Sequence, residues 1–130
     1  MKFILDASAT LAFIFPDERD AMALTLASLV REGLAISPPL WNWEIANAIV
    51  TVERRGRLNG ETASALLRAA AALPVQIDSG EGNSVELARR LGLSVYDALY
   101  LDLAFRRHLP LATRDKSLIQ AAQMLKVPIL

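Results

Sequence analysis

The segment KFILDAS, residues 2–8, joins a short apolar run to a carboxylate and a hydroxyl, and its apolar half recurs along this 130-residue chain. The run KFIL is too short for a helix, and similar runs follow as LAIS, PVQI, PLAT and VPIL. Continuous apolar runs of this length are typical of strands buried on both faces of a parallel sheet. The sequence therefore predicts a parallel sheet of about five strands.

Helical patterns separate these runs, and most of them end at a glycine or a proline. Such residues commonly stop helices, and here they are Gly33, Gly56, Pro74, Gly92 and Pro110. The predicted helices span about residues 18–32, 39–55, 60–73, 83–91, 95–108 and 116–125, with a shorter helix after Asp6. Strands that alternate with helices predict right-handed crossovers and an α/β fold with helices on both faces of the sheet.

The number of helices between the strands bears on the strand order. Two helices separate LAIS from PVQI, and two more separate PVQI from PLAT. This length of chain allows a later strand to dock beside the first one, which creates a topological switch point next to KFIL. Ligands of open α/β sheets bind at such a point, beyond the carboxyl ends of the strands. We expect one domain, residues 1–130, with its functional site in that crevice.

Composition narrows the possible functions. The chain has no cysteine, so thiolate metal sites are excluded and a metal must be bound by oxygen ligands or by the lone His108. We expect His108 to be structural and the protein to be cytoplasmic, in a reducing setting. Fourteen basic residues balance fourteen acidic ones, which excludes a generally cationic surface for nucleic acid. No segment reaches the roughly 20 apolar residues of a membrane span, so we expect no membrane association.

Four acidic residues lie where the pattern predicts burial. Asp6 and Asp115 follow predicted strands, whereas Glu44 and Asp97 lie early in apolar helices. Each has a local explanation, because Asp6, Asp97 and Asp115 stand at helix starts where acids are favoured, and Glu44 could point to solvent. Buried carboxylates are rare without a partner, which favours a joint explanation.

The joint explanation is that the four acids converge on one crevice. Two carboxylates about 4 Å apart repel by roughly 4 kcal/mol at an effective dielectric near 20. A divalent cation removes this repulsion, and a ligand set made only of oxygen favours Mg²⁺ or Mn²⁺. These ions retain several waters and suit substrates that carry phosphate.

Four segments of the chain, FILDAS, PPLWNWEIANAI, LSVYDALYLDLA and LATRDKSL, resemble in order and spacing the signature segments of PIN-domain ribonucleases. The resemblance is strongest to the VapC-type toxins of toxin–antitoxin pairs. It implies an acidic quartet, matched here by Asp6, Glu44, Asp97 and Asp115, that binds one or two Mg²⁺ or Mn²⁺ ions, partly through water. It also implies endonucleolytic cleavage of RNA, a homodimer, and silencing by a cognate antitoxin protein.

Five further residues match or flank these segments. Ser8 and Thr113 match the family's small hydroxyl residues, and Asn47 matches its E-x-x-N pattern. The resemblance implies that these three support the metal ligands or contact phosphate, although local capping or helix packing would explain them equally well. Arg114 and Lys116 flank the fourth acid and are predicted phosphate contacts.

Two acids fall outside the quartet. Asp102 follows Asp97 by five residues, about 140° round the helix, so we expect it not to share the metal directly. Of its two remaining roles, exposure to solvent and an outer acid at the rim of the pocket, we favour exposure. Asp78 follows the PVQI strand and is expected to be a turn residue.

Two other functions remain open. A receiver-type phospho-acceptor domain shares the length, the alternation and the acid after the first strand. It would need a phosphorylatable aspartate after the third strand, for which Asp78 is the only candidate, and a lysine after the fifth, which this sequence does not supply. The second alternative is a catalytically silent PIN fold that acts as a binding module.

Overall fold

The protein is described by a computed structural model over residues 1–80 and 82–130. The described residues form four strands and seven α-helices: β1 (Phe3–Leu5), α1 (Ala7–Ile14), α2 (Ala21–Arg31), β2 (Ala35–Ser37), α3 (Leu40–Arg54), α4 (Gly60–Ala71), β3 (Gln76–Ile77), α5 (Ser84–Leu91), α6 (Val95–Arg107), β4 (Leu111–Ala112) and α7 (Lys116–Met124). Every predicted helix is confirmed, and a short 3-10 helix, Pro16–Glu18, lies between α1 and α2. The α/β class predicted from the alternation is correct.

The helix boundaries follow local signals. Helix α2 begins at Ala21, three residues later than predicted, because the Asp20 side chain caps it by accepting the Ala23 N–H at 2.8 Å. Gly92 ends α5 with φ of 69°, a left-handed conformation that suits glycine. Helix α6 ends before Pro110, at His108, which takes the same left-handed region with φ of 54°. The structural role expected for His108 is therefore that of a helix end.

The sheet is parallel, with strand order β3-β2-β1-β4. Strand β4 pairs with β1, so the predicted switch point next to the first strand is confirmed. The predicted fifth strand, VPIL, forms only an isolated parallel bridge between Leu111 and Ile129. The two backbone hydrogen bonds between VPIL and β4 both involve Leu111, and Pro128 has no N–H with which to extend the ladder.

The central strand is buried on both of its faces. Phe3, Ile4 and Leu5 point alternately to opposite sides, yet each is at most 1% exposed. Helix α6 packs against β1 and β4, and its Leu101 and Leu103 are equally buried. Helices therefore cover both faces at the centre, and the carboxyl ends of β1 and β4 open side by side. Within the described residues, no helix combines the length and apolar character needed to cross a bilayer.

Candidate functional site

Asp6 lies at the carboxyl end of β1, where the chain enters α1, and is 4% exposed. Its Oδ2 accepts hydrogen bonds from the Ser8 hydroxyl at 2.6 Å and from the Thr113 hydroxyl at 2.7 Å. Thr113 is 107 positions away in sequence, and the pairing of β4 with β1 brings it there. Burial raises the pKa of Asp6 above its ordinary 3.8, and the two hydroxyl donors oppose that rise.

The segment after β4 is held against the start of α1 by the same two hydroxyls. The Ser8 oxygen accepts the backbone N–H of Arg114 at 2.9 Å, and the Thr113 oxygen accepts that of Asp115 at 3.1 Å. Asp115 in turn caps α7, where its Oδ1 accepts the Leu118 N–H at 3.1 Å. The capping role predicted for Asp115 is confirmed. The cap uses Oδ1 alone, so it does not engage Oδ2.

Glu44 lies in the second turn of α3 and is half-buried. Its Oε1 accepts a hydrogen bond from the Tyr100 hydroxyl at 2.5 Å, so the solvent-exposed alternative for this acid is wrong. Burial raises the pKa of Glu44 above its ordinary 4.5, and the charges of Asp6 and Asp97 raise it further. The hydrogen bond from Tyr100 opposes both effects.

Asp97 lies in the first turn of α6, where its N–H donates to the Ser94 hydroxyl at 3.0 Å. Ser94 therefore caps the start of α6. The Asp97 carboxylate is half-buried, and burial raises its pKa above the ordinary 3.8, with further rises caused by the charges of Asp115 and Asp6. The charges of two other acids therefore affect the pKa of Asp97, and the charge of Asp97 affects the pKa of Glu44.

Asp6, Glu44, Asp97 and Asp115 therefore form one set of interacting charges, here called the acidic cluster. Within the described residues no ion pair includes any of its members; the ion pairs found there are Arg106–Asp102, Arg107–Asp78 and Arg114–Asp20. Burial and repulsion thus act without a compensating cation, which is why the pKa values of Asp6, Glu44 and Asp97 rise rather than fall.

The donor chemistry of the acidic cluster suits a hard divalent cation. Over the described ranges, no three acidic or histidine side chains lie close enough to hold a metal ion directly. An ion that keeps several of its waters needs only one or two direct carboxylate ligands, as Mg²⁺ usually does. The cluster therefore fits a partly hydrated ion better than a fully protein-enclosed one.

The sequence profile of the PIN domain matches residues 3–124. The chain belongs to the PIN-domain family. This PIN domain is 32% identical over 133 residues to Ribonuclease VapC3 of Pyrobaculum aerophilum, a match that covers 98% of this chain and 100% of that relative. It is 34% identical over 109 residues to Ribonuclease VapC1 of Mycobacterium tuberculosis, which is 79% of each chain. The resemblance to VapC-type PIN proteins is confirmed.

A solved structure supports the same assignment. The crystal structure of PAE2754 from Pyrobaculum aerophilum matches this PIN domain with a TM-score of 0.73 and 25% sequence identity. The match covers 97% of this chain and 88% of that one, so it extends over all of the elements that carry the acidic cluster.

The five supporting residues predicted for this PIN domain have different surroundings. Ser8 and Thr113 contact Asp6, whereas Asn47 and Lys116 are exposed and form no side-chain hydrogen bond among residues 1–80 and 82–130. Arg114 binds Asp20 through two bonds, at 2.6 and 2.8 Å. That pairing lowers the pKa of Asp20 to about 2.

The prediction that Asp102 is exposed is wrong. Asp102 is 3% exposed, binds Arg106 Nε at 2.8 Å and accepts the backbone N–H of Asn83 at 3.2 Å. Arg106 lies four residues later on α6, so it provides the partner that a buried carboxylate requires. Asp78 accepts the Gly80 N–H at 2.8 Å, which confirms its turn role.

Tyr100 is the contact residue that sequence reasoning missed. It lies three residues after Asp97 in an otherwise apolar run and is 0% exposed. A buried tyrosine hydroxyl almost always has a hydrogen-bond partner, and that rule was the available signal. Burial, and then the nearby Glu44, raise the pKa of Tyr100, so its hydroxyl keeps the proton that it donates.

Proposed function

We propose that this PIN-domain protein is a Mg²⁺- or Mn²⁺-dependent endoribonuclease of the VapC toxin type, neutralised by a cognate antitoxin. The observation that carries the proposal is the acidic cluster, whose four members share no ion pair within the described part of the chain. Relatives named as ribonucleases, which match 98% and 79% of the chain, support RNA as the substrate.

Asp6, Glu44, Asp97 and Asp115 are the residues that would hold the ion. A bound Mg²⁺ or Mn²⁺ lowers the pKa of coordinated water and neutralises charge that develops on a phosphodiester. The protein's own part is to hold its carboxylates in place before substrate arrives. The Ser8 and Thr113 hydroxyls orient Asp6, while the start of α7 orients Asp115.

The proposed reaction is hydrolysis with water as the nucleophile. The water oxygen forms a bond to phosphorus, the bond from phosphorus to the 3′ oxygen breaks, and that oxygen takes up a proton. The products are a 3′-hydroxyl and a 5′-phosphate, and no serine, cysteine or histidine nucleophile is required. Lys116 is exposed beside Asp115, where it would contact the RNA backbone. Arg114 would contact the backbone by exchanging its exposed pair with Asp20 for a phosphate.

A neighbouring cavity supports neutralisation by a protein partner. The cavity has a volume of about 400 Å³ and is mostly apolar, with Met22, Leu26 and Leu29 on one side and Thr113 and Arg114 on the other. A polypeptide that bound there would lie next to Asp6, which Thr113 contacts. This arrangement suits an antitoxin segment that covers the site.

We further propose that the protein acts as a homodimer in the cytoplasm. Its surface carries large apolar side chains that favour burial in an interface, including Trp43 at 74% exposure and Phe105 at 49%. Analytical ultracentrifugation of the isolated protein tests the dimer directly.

The activity is tested by incubating purified protein with total RNA, with Mn²⁺ or with EDTA. We expect the wild type to cleave RNA only with the metal and Asp97→Asn to be inactive. The metal-free Asp97→Asn protein should be as stable as the wild type or more so, because repulsion within the acidic cluster is relieved. Asp17→Asn, in the exposed 3-10 helix, makes the same chemical change outside the cluster and should cleave normally.

Two results would contradict the proposal. Full cleavage by Asp97→Asn would remove this acid from the reaction. Unfolding of Asp97→Asn without metal would show that its role at the start of α6 outweighs its place in the cluster.

A further inference from the structure

Tyr100 and Glu44 form a hydrogen bond between two helices that are far apart in the sequence. The two residues are 56 positions apart, on α6 and α3, and the Tyr100 hydroxyl donates to Glu44 Oε1 at 2.5 Å. An O–H donor to a carboxylate at this distance belongs to the strong, charge-assisted class. The bond is therefore a specific link from the core to one member of the acidic cluster.

The ring of Tyr100 is fully buried. It is 0% exposed, and its hydroxyl is the one side-chain donor to Glu44 among the residues that the structure describes. Tyr100 follows Asp97 by three residues, so the two side chains leave the same side of α6. One helix therefore provides both an acid of the cluster and the donor that restrains a second acid on α3.

We propose that Tyr100 is a positioning residue for the metal site, an inference that rests on the proposed metal-dependent function. A free glutamate side chain samples several rotamers, and ordering it on ion binding costs conformational entropy. Because the phenol fixes Oε1, it also sets where Oε2 lies relative to Asp6 and Asp97. Donors that orient metal-ligating groups typically affect metal affinity or activity by about 10–100-fold.

The test replaces the hydroxyl alone, with Tyr100→Phe, and measures Mn²⁺ binding by calorimetry in the absence of RNA. We expect Mn²⁺ to bind about 10–100-fold more weakly than to the wild type. In cleavage assays kcat should fall while KM for RNA stays close to that of the wild type. The matched control is Tyr96→Phe, which loses the same hydroxyl from an exposed ring on the same helix and should behave like the wild type.

A double-mutant cycle shows whether Tyr100 acts through Glu44. In a Glu44→Gln background, adding Tyr100→Phe should cause no further loss of Mn²⁺ affinity, because the restrained carboxylate is already gone. A full additional loss in that background would overturn the proposed route of action. Wild-type Mn²⁺ affinity in a folded Tyr100→Phe protein would overturn the positioning role itself.

A spectroscopic measurement keeps the proposal testable if Tyr100→Phe does not fold. In the Tyr96→Phe protein, Tyr100 is the only tyrosine, so ultraviolet resonance Raman reports its hydrogen bonding alone. We expect Glu44→Gln in this background to weaken the donor signature, and Mn²⁺ to shift it. A signature that changes with neither would overturn the proposal.

These outcomes distinguish a failure of the positioning role of Tyr100 from a failure of the proposed metal-dependent ribonuclease activity. A wild-type protein that binds no Mn²⁺ overturns the proposed metal-dependent activity. A wild-type protein that binds Mn²⁺ and cleaves no RNA, while Tyr100→Phe binds Mn²⁺ weakly, overturns the ribonuclease proposal and supports the positioning role. Equal Mn²⁺ binding by both proteins overturns the positioning role alone.

Discussion

Asp115 has two tasks in one carboxylate, and two substitutions separate them. It caps α7 through the Leu118 N–H, and it contributes charge to the acidic cluster. Asp115→Asn keeps an acceptor for the cap, so its metal-free stability should match or exceed that of the wild type. Asp115→Ala loses the cap and should be about 1 kcal/mol less stable in urea unfolding. Both variants should lose RNA cleavage.

The difference in stability between the two variants shows which property of Asp115 supports the helix. Equal instability of Asp115→Asn and Asp115→Ala would mean that the negative charge itself, rather than an acceptor, supports the helix. Cleavage by Asp115→Asn would remove Asp115 from the proposed ion-binding set.

At the scale of single residues, the sequence predicted the acids of the cluster better than it predicted the side chains that contact them. The four acids could be selected because carboxylates in apolar surroundings are unusual, and the structure brings them into one interacting set. The predicted exposure of Asp102 is wrong because it rests on the angle from Asp97 alone. Arg106, four residues later, is the partner that allows this carboxylate to be buried. The bond from Tyr100 depends on how α6 packs against α3, which local patterns do not specify.

Among the elements, Gly82, just before α5, lies against α6 with little space for a side chain. A Cβ at Gly82 would overlap the Asp102 carboxylate and the Arg106 side chain, which are themselves paired. We expect Gly82→Ala to lower the free energy of unfolding by about 1–3 kcal/mol, as overpacking does elsewhere. Equilibrium urea unfolding measures this loss.

The control for this substitution is Gly60→Ala, at the first residue of α4. A Cβ there would meet only Glu53 Oε2 at 3.6 Å, an ordinary contact, and alanine favours a helix. Its stability should therefore equal or exceed that of the wild type. A Gly82→Ala protein as stable as Gly60→Ala would show that the contact between Gly82 and α6 adapts without loss of stability.

Helices were easier to predict than strands for a physical reason. A helix start such as Asp20 or Ser94 and a stop such as Gly92 act on neighbouring backbone groups, so the signals are local. A strand exists only when a partner supplies hydrogen bonds, which a single apolar run does not reveal. VPIL has the composition of a strand, yet Pro128 restricts it to a bridge with Leu111.

For the whole molecule, the raised pKa values predict how stability depends on pH. Asp6, Glu44 and Asp97 have pKa values above 3.8, 4.5 and 3.8 in the folded state. An acid with a raised folded pKa holds more protons when folded, so its contribution to stability falls as pH rises through that window. The lowered pKa values of Asp20 and Asp78 act below 3.8, outside it.

The metal-free protein should therefore become more stable as the pH falls from neutrality towards the ordinary pKa values of these acids. Thermal unfolding in EDTA across this range measures the effect. Glu44→Gln removes one of the responsible groups and weakens the repulsion on the others, so its dependence on pH should be shallower. A stability that falls on acidification, or an equal dependence in both proteins, would contradict the electrostatic account of the acidic cluster.

A divalent metal ion should offset this loss of stability at neutral pH. An ion that binds only the folded state stabilises it by mass action, by about 2.7 kcal/mol at a concentration 100 times Kd. The Tm of the wild type should rise with millimolar Mg²⁺ or Mn²⁺, and most of the rise should be absent in Glu44→Gln. An unchanged melting curve for the wild type would count against the metal site.

The position of β4 beside β1 has a consequence for the protein during its own synthesis. Thr113 is translated 107 positions after Asp6, and Asp115 follows it. A nascent or prematurely terminated chain that lacks β4 has neither the hydroxyl that orients Asp6 nor the fourth acid. The topology thus completes the acidic cluster only after β4 and the residues that follow it have been translated.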